Sequence, residues 1–187
     1  MCIGVLAFHG DVAEHLEILQ MLNVMGIEVR SVEDLSRVER LIIPGGESTV
    51  MGRFLDMTGV GKEIQRRVND ESLAVYGTCA GTILVARKIT GKNPPRPLGL
   101  INIVVDRNAY GTQAHSFATD LSVRGMEKAM RVAFIRAPVI TKVGRGVEVL
   151  SEFDGNPVLV RQERVLAGTF HPEVRGDTGL HQFFLNI

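Results

Sequence analysis

The segment Gly77-Thr78-Cys79-Ala80-Gly81 follows a short apolar run and precedes a helix-forming one. Strand, sharp turn and helix are the setting of a nucleophile elbow, here with cysteine in the place of serine. The glycines permit a tight, strained turn that lifts the side chain out of a sheet. The N–H groups and positive dipole end of the following helix favour the thiolate, which is the nucleophilic form. The Ala80 N–H is placed to receive a tetrahedral oxyanion. A cysteine at a strand end, taken alone, reads more readily as a structural core residue; the flanking pattern reverses that preference.

His171-Pro172-Glu173 follows another apolar run. On extended backbone, residues i and i+2 project to one side, and Pro172 biases His171 toward that conformation. A carboxylate so placed orients an imidazole and stabilises its charged form, which is the base-plus-orienter half of a triad. An isolated His-Pro-Glu would be an ordinary turn; pairing with a cysteine elbow changes its meaning. Pro44-Gly45-Gly46-Glu47-Ser48 closes a third run. Its glycines expose N–H groups to an oxyanion or carboxylate, and a helix begins at once. It lacks the Gly-Lys-Ser/Thr ending of a phosphate-binding loop.

The elements that must carry these residues alternate in the first half. Ile3 to Phe8, Glu28 to Val32, Arg40 to Ile43 and Leu73 to Tyr76 read as strands. Helices are expected from Asp11, as N-cap of a capping box with Glu14, to Gly26, from near Ser48, over Lys62 to Val68, and over Ala80 to Ile89. This order predicts a parallel sheet covered on both faces. The second half reads as strands Ile101 to Val105, Ser116 to Val123, Val132 to Ile135 and Val147 to Phe153. An Asp154-Gly155-Asn156 turn then leads a hairpin through Arg161. Val165 to Phe170 and a helix over Asp177 to Phe184 complete it. The expected fold is a single α/β domain over residues 1–187, a three-layer, flavodoxin-like sandwich. Its mostly parallel sheet is flanked by helices and carries an antiparallel extension.

The segments Ile3-Gly4-Val5-Leu6, Pro44 to Thr49, Gly77 to Gly81, Asp106-Arg107-Asn108-Ala109-Tyr110-Gly111, Phe134-Ile135-Arg136-Ala137-Pro138 and Phe170 to Glu173 together resemble the triad (class I) glutamine amidotransferases. They are most similar to the glutaminase subunit of pyridoxal 5′-phosphate synthase. The resemblance implies that Cys79 attacks the glutamine amide, His171 shuttles the proton and Glu173 orients it. It implies an oxyanion hole at Gly46 and Ala80, and glutamine contacts at Gly46, Glu47, Ser48, Arg107, Ile135 and Arg136. It also implies an L-glutamine substrate and ammonia transfer to a (βα)₈-barrel synthase partner, with activity weak until that partner binds. No cofactor is implied. The chain departs from the family at Phe8-His9-Gly10, where Leu-Gln-Gly is usual, and at Thr112. His9 reads as an interface or polar-contact residue. His15, His115 and His181 default to solvated or structural roles.

Composition limits the alternatives. Of 187 residues, 21 are basic and 21 acidic, so no charge bias points to nucleic acid. No apolar run approaches the ~18–20 residues that span a bilayer, and no signal segment opens the chain. Two cysteines, Cys2 and Cys79, and dispersed histidines argue against a disulfide scaffold or a zinc site and for a reducing cytoplasm. The competing functional readings are a glutaminase for another synthase, such as the imidazole glycerol phosphate type, and a non-catalytic redox-sensing module.

Overall fold

Short, nearly all-apolar strands at the centre of the main sheet are buried on both faces, and the strands at its edges are partly exposed. The computed structural model describes residues 2–107 and 116–187. Strands β1 (Cys2–Leu6), β2 (Met25–Val29), β3 (Arg40–Ile43), β4 (Ala74–Thr78), β10 (Glu148–Phe153), β11 (Asn156–Gln162) and β12 (Val165–Gly168) form a seven-stranded sheet ordered β10-β11-β12-β4-β3-β1-β2. The five strands from β12 to β2 are parallel, and β10–β11–β12 is the antiparallel extension.

Alternation assigns Leu6, Leu41, Ile43 and Val75 to one face, against helices α2 (Val32–Ser36), α3 (Ser48–Thr58), α4 (Val60–Asn69) and α5 (Ala80–Val85). Ile3, Val5, Ile42 and Tyr76 take the other, against Leu19 of α1 (Val12–Met21) and Leu180 and Phe184 of α6 (Gly179–Leu185). The expected α/β sandwich is therefore present. Two smaller sheets accompany it. One comprises β5 (Ala86–Thr90), β6 (Ile101–Asp106) and β9 (Val139–Val143); the other pairs β7 (Phe117–Leu121) with β8 (Met130–Phe134).

Several boundaries differ from the sequence reading. Gly26, expected to end the first helix, lies inside β2, which begins at Met25 rather than Glu28 because Asn23 turns the chain at φ 56° just after α1. A side chain at Gly26 would lie 2.7 Å from Leu16 Cδ2, so the glycine serves close helix–strand packing. The expected helix from Ala80 stops at Val85, and Ala86–Thr90 is strand β5. Strand β9 and the short α2, with its Ser31–Asp34 capping box, were not expected. Asp11 precedes α1 without capping it through its side chain, so the expected capping box is not formed.

Candidate active site

Cys79 sits between β4 and α5 at φ 46°, ψ −101°, a left-handed conformation that costs a non-glycine residue roughly 1–3 kcal/mol. Two glycines make the turn sterically feasible. A Cβ at Gly81 would lie 2.0 Å from the Ile43 carbonyl oxygen, and one at Gly77 would lie 2.7 Å from the Gly81 carbonyl carbon. Helix α5 therefore crosses the tips of β3 and β4 at backbone distance. The turn is tied to its other neighbour as well. Cys79 N–H donates to Gly168 O of β12 at 2.8 Å, and the Thr82 hydroxyl lies between Gly168 O (2.6 Å) and Gly77 O (2.9 Å). Cys79 is buried, with its sulfur 3.9 Å from the Ile135 carbonyl oxygen.

His171 arrives just beyond β12 and is pinned by a two-residue bridge to β8. Its N–H donates to Ala133 O at 2.8 Å and its carbonyl accepts from Ala133 N–H at 3.1 Å. The expected extended route to Glu173 is not taken. Pro172 is helical at φ −72°, ψ −33°, and Glu173 opens a 3-10 turn over Glu173–Arg175. The turn brings the carboxylate back under the ring, with Glu173 Oε1 2.7 Å from His171 Nδ1. A second carboxylate meets the same nitrogen: Asp11 Oδ2 lies 3.3 Å away. Asp11 leaves its helix cap unmade because its side chain is turned to this imidazole.

Burial opposes charge on His171, but hydrogen bonding to Asp11, Cys79 and Glu173 outweighs it and pushes the imidazole pKa up to about 12. The same contact to His171 holds the Asp11 carboxyl below its usual range. Burial raises the Glu173 carboxyl, and His171 pulls it back down. The imidazolium, flanked by carboxylates and facing a thiol, is the form this pocket favours at neutral pH. Asp11, His171 and Glu173 also place three ligand-type atoms within 4.8 Å of one another. The single N–H on His171 Nδ1 is shared between the two carboxylates, the nitrogen lying 2.7 Å from Glu173 Oε1 and 3.3 Å from Asp11 Oδ2.

The loop after β3 closes the site from the other side. A Cβ on Gly45 would lie 2.3 Å from His171 Cε1 and 2.6 Å from Asp11 Oδ2, so only glycine lets the imidazole stand there. Gly46 has φ +150° and packs on His9 and Gly10, which itself has φ +102°. The Gly45 carbonyl accepts from Asp11 N–H at 3.2 Å. In a trans peptide the next N–H points the opposite way, so the Gly46 N–H is directed away from the Asp11 turn. His9 Nδ1 accepts from Glu47 N–H at 3.2 Å, which makes His9 a polar contact to this loop.

Glu47 caps α3, its carboxylate accepting from Thr49 N–H (3.0 Å) and Val50 N–H (2.8 Å). Arg107 is held by the protein: its guanidinium donates to Thr49 Oγ1 (3.1 Å) and Asn93 O (3.2 Å) and lies 3.4 Å from Glu47 Oε1. Ser48 is buried at the start of α3, and Ala80 is buried at the start of α5. Arg136 is exposed at φ 44° beside Ile135.

The structure thus gathers Cys79, His171 and Glu173 at the carboxyl ends of the parallel strands, the usual crevice of an open α/β sheet. The Gly45–Gly46 loop borders them. Asp11 and Gly45 were missed by sequence reasoning. A capping position hid the first, and the second was passed over for its neighbour. The expected motif at Asn108–Gly111, together with Thr112 and His115, lies outside the described residues.

The SNO glutamine amidotransferase family model matches residues 5–187. The chain is 45% identical over 187 residues to a protein of Niallia circulans named "Pyridoxal 5'-phosphate synthase subunit PdxT", covering 100% of this chain and 97% of that one. It is 47% identical over 185 residues to a protein of the same name from Thermus thermophilus, covering 99% and 96%. A solved structure described as "Crystal structure of glutamine amidotransferase" superposes with a TM-score of 0.93 at 46% identity, covering 98% of this chain and 97% of that one. A chain in the "Structure of PurLQS from Thermotoga maritima" has a TM-score of 0.72 at 17% identity, covering 99% and 97%, a likeness of fold alone.

Proposed function

Because this chain belongs to the SNO glutamine amidotransferase family, we propose that it is the glutaminase subunit of a pyridoxal 5′-phosphate synthase. One glutamine amidotransferase domain over residues 1–187 would hydrolyse L-glutamine to L-glutamate and ammonia. The ammonia passes to the synthase subunit, a (βα)₈ barrel, for vitamin B6 synthesis. The single observation that carries the chemistry is the 2.7 Å contact of Glu173 with an imidazole that also engages a strained elbow cysteine.

In this reading the Cys79 thiolate attacks the amide carbon, and the oxyanion is held by the N–H groups of Gly46 and Ala80. His171, as imidazolium, protonates the leaving nitrogen. The C–N bond breaks, giving ammonia and a glutamyl thioester. Neutral His171 then takes a proton from water, whose oxygen attacks the thioester. Breakdown of that second tetrahedral intermediate breaks the C–S bond and returns the thiolate and the imidazolium, and the new carboxylic acid gives its proton to solvent and leaves as glutamate. Glutamine is bound by Gly46, Glu47, Ser48, Ile135 and Arg136, and by Arg107, whose guanidinium moves from Glu47 to the substrate carboxylate. No cofactor takes part.

The partner sets the Gly46 peptide. Its present orientation is held by the Asp11 N–H and His9 contacts, and one oxyanion donor is worth about 10²–10³ in turnover. Free thiols at Cys2 and Cys79 suit a cytoplasmic setting. Among the described residues no helix is long and apolar enough to cross a membrane. A redox sensor would need no carboxylate aimed at a histidine beside its cysteine, so that reading is set aside. The test is ammonia release from glutamine, with and without the synthase subunit, for the native chain and Cys79→Ala. Release by the native chain that rises with the synthase and vanishes in Cys79→Ala supports the reading. Retained release in Cys79→Ala overturns the nucleophile, and partner-independent release overturns the gating.

A further inference from the structure

Behind the triad lies a second histidine pair that the chemistry above does not use. His15 of α1 and His181 of α6 are both buried, and His15 Nδ1 lies 2.8 Å from His181 Nε2. The other nitrogen of His15, Nε2, faces Glu173 Oε1 at 3.7 Å and Thr78 Oγ1 at 3.5 Å. Tyr76 of β4 stands edge-on to both imidazoles, at ring-centroid distances of 6.4 and 5.8 Å. Its hydroxyl is buried without a hydrogen-bond partner, as are Glu173 Oε2 and His181 Nδ1. Glu173 is thus a fully buried carboxylate whose surroundings are His171, His15 and Tyr76, with Asp11 beside it on the same nitrogen of His171.

A 2.8 Å contact between two ring nitrogens requires one proton between them, and this can be arranged in two ways. If His15 donates from Nδ1, its Nε2 lone pair faces the Glu173 carboxylate, and His181 must carry an N–H at Nδ1 that is buried without an acceptor. If His181 donates from Nε2, neutral His15 carries its proton on Nε2, directed at Thr78 and Glu173. Only an acceptor lone pair on His181 is then left unpaired. An unpaired buried donor and a lone pair aimed at an anion are the costlier combination, so the second arrangement prevails. Burial holds both histidines neutral, His15 well below its usual pKa and His181 down at about 4.

We propose that His15 and His181 are positioning residues of the triad: a neutral two-imidazole chain whose N–H dipoles point toward Glu173, keeping it ionised and its Oε1 aimed at His171. This deepens the function proposed above and rests on it. The dipoles do what a buried cation would otherwise do, without adding a charge that needs its own compensation. Glu173, which burial pushes toward the neutral acid, then stays anionic over the working range and supports the imidazolium.

The test uses the chain with its synthase subunit. His15→Phe removes both ring nitrogens, and His15→Gln restores an N–H near the Nε2 position. His15→Phe is expected to lower kcat by tenfold or more with KM for glutamine changed less than threefold. The acid limb of its pH profile should move up by about one pH unit as Glu173 protonates more readily. His15→Gln should recover most of kcat and the native limb. A His15→Phe enzyme with native kcat and native pH profile overturns the proposal, because a packing role alone would leave both unmoved.

If His15→Phe does not fold, His181→Gln and His181→Leu give the same comparison one step further from the reaction. Imidazole ¹⁵N NMR of the native chain supplies a readout independent of glutaminase activity. Both rings should be Nε2–H tautomers that do not titrate between pH 5 and 8, and an Nδ1–H tautomer at either ring overturns the assignment. Loss of the function reading, by contrast, would appear as no ammonia release from the native complex.

Discussion

Gly45→Ala isolates how tightly the imidazole is held. The glycine's φ lies outside the left-handed range, so alanine brings no backbone strain of its own. The new methyl would sit 2.3 Å from His171 Cε1 and 2.6 Å from Asp11 Oδ2, where ordinary contact begins near 3.4 Å. Either the ring or the loop must retreat by about 1 Å, and a displacement of that size costs on the order of 10²-fold in rate, or about 2.7 kcal/mol in the barrier. His171 cannot follow easily, because its backbone is bridged to Ala133. The assay is steady-state ammonia release with the synthase subunit present, with kcat expected to fall about 100-fold while the fold remains intact. Gly155→Ala is the control, since that glycine has φ +73° with nothing within 4 Å of the added carbon. It should lower the melting temperature slightly and leave kcat alone. A Gly45→Ala enzyme within threefold of native kcat would refute the claim that this glycine seats the imidazole.

Asp11→Asn should lower kcat by about tenfold, since a hydrogen bond to a charged group is worth roughly 1.5–3 kcal/mol and this one is long and partly exposed. Asp11's lowered pKa gives stability that is present above its unfolded value and lost as pH falls through the folded one. Melting temperature below pH 4 should therefore fall less steeply in the Asn variant than in the native chain. Two inactive variants measure the elbow strain: at φ 46°, Cys79→Gly should melt about 2–4 °C above Cys79→Ala, and equal melting temperatures would remove the strain argument. Glu47→Ala removes the carboxylate that caps α3 and should cost about 1 kcal/mol in denaturant unfolding while raising KM for glutamine. An unchanged KM would exclude Glu47 from the glutamine site.

What could be read without coordinates was whatever is written locally. Arg40–Ile43, closed by Pro-Gly-Gly, and the Gly-flanked Cys79 turn are fixed by neighbouring residues, and both stand where the sequence placed them. The all-apolar run through Val85 and Ala86 carries no period, so helix and strand could not be separated there, and the chain changes from α5 to β5 within it. The triad members were legible as motifs, but the means of joining them was not. A bridge to Ala133 and a helical Pro172, rather than an extended dipeptide, set the imidazole over Glu173. Asp11 looked like a cap because capping is the commonest use of an aspartate before a helix. His15 and His181 looked peripheral because nothing local pairs residues 166 positions apart.

The tie between the elbow and β12 also sets a timetable. The Gly168 carbonyl that receives Cys79 N–H, and the Thr82 hydroxyl beside it, belongs to a residue added 86 positions after Thr82. At ribosomal speeds of about 5–20 residues per second, that interval lasts on the order of 4–17 s. Throughout it, the cysteine has neither the strand that braces its turn nor the histidine that takes its proton. A growing chain, or one cut before Gly168, therefore has no braced elbow, and cysteine and histidine first meet once residues 168–171 have been added.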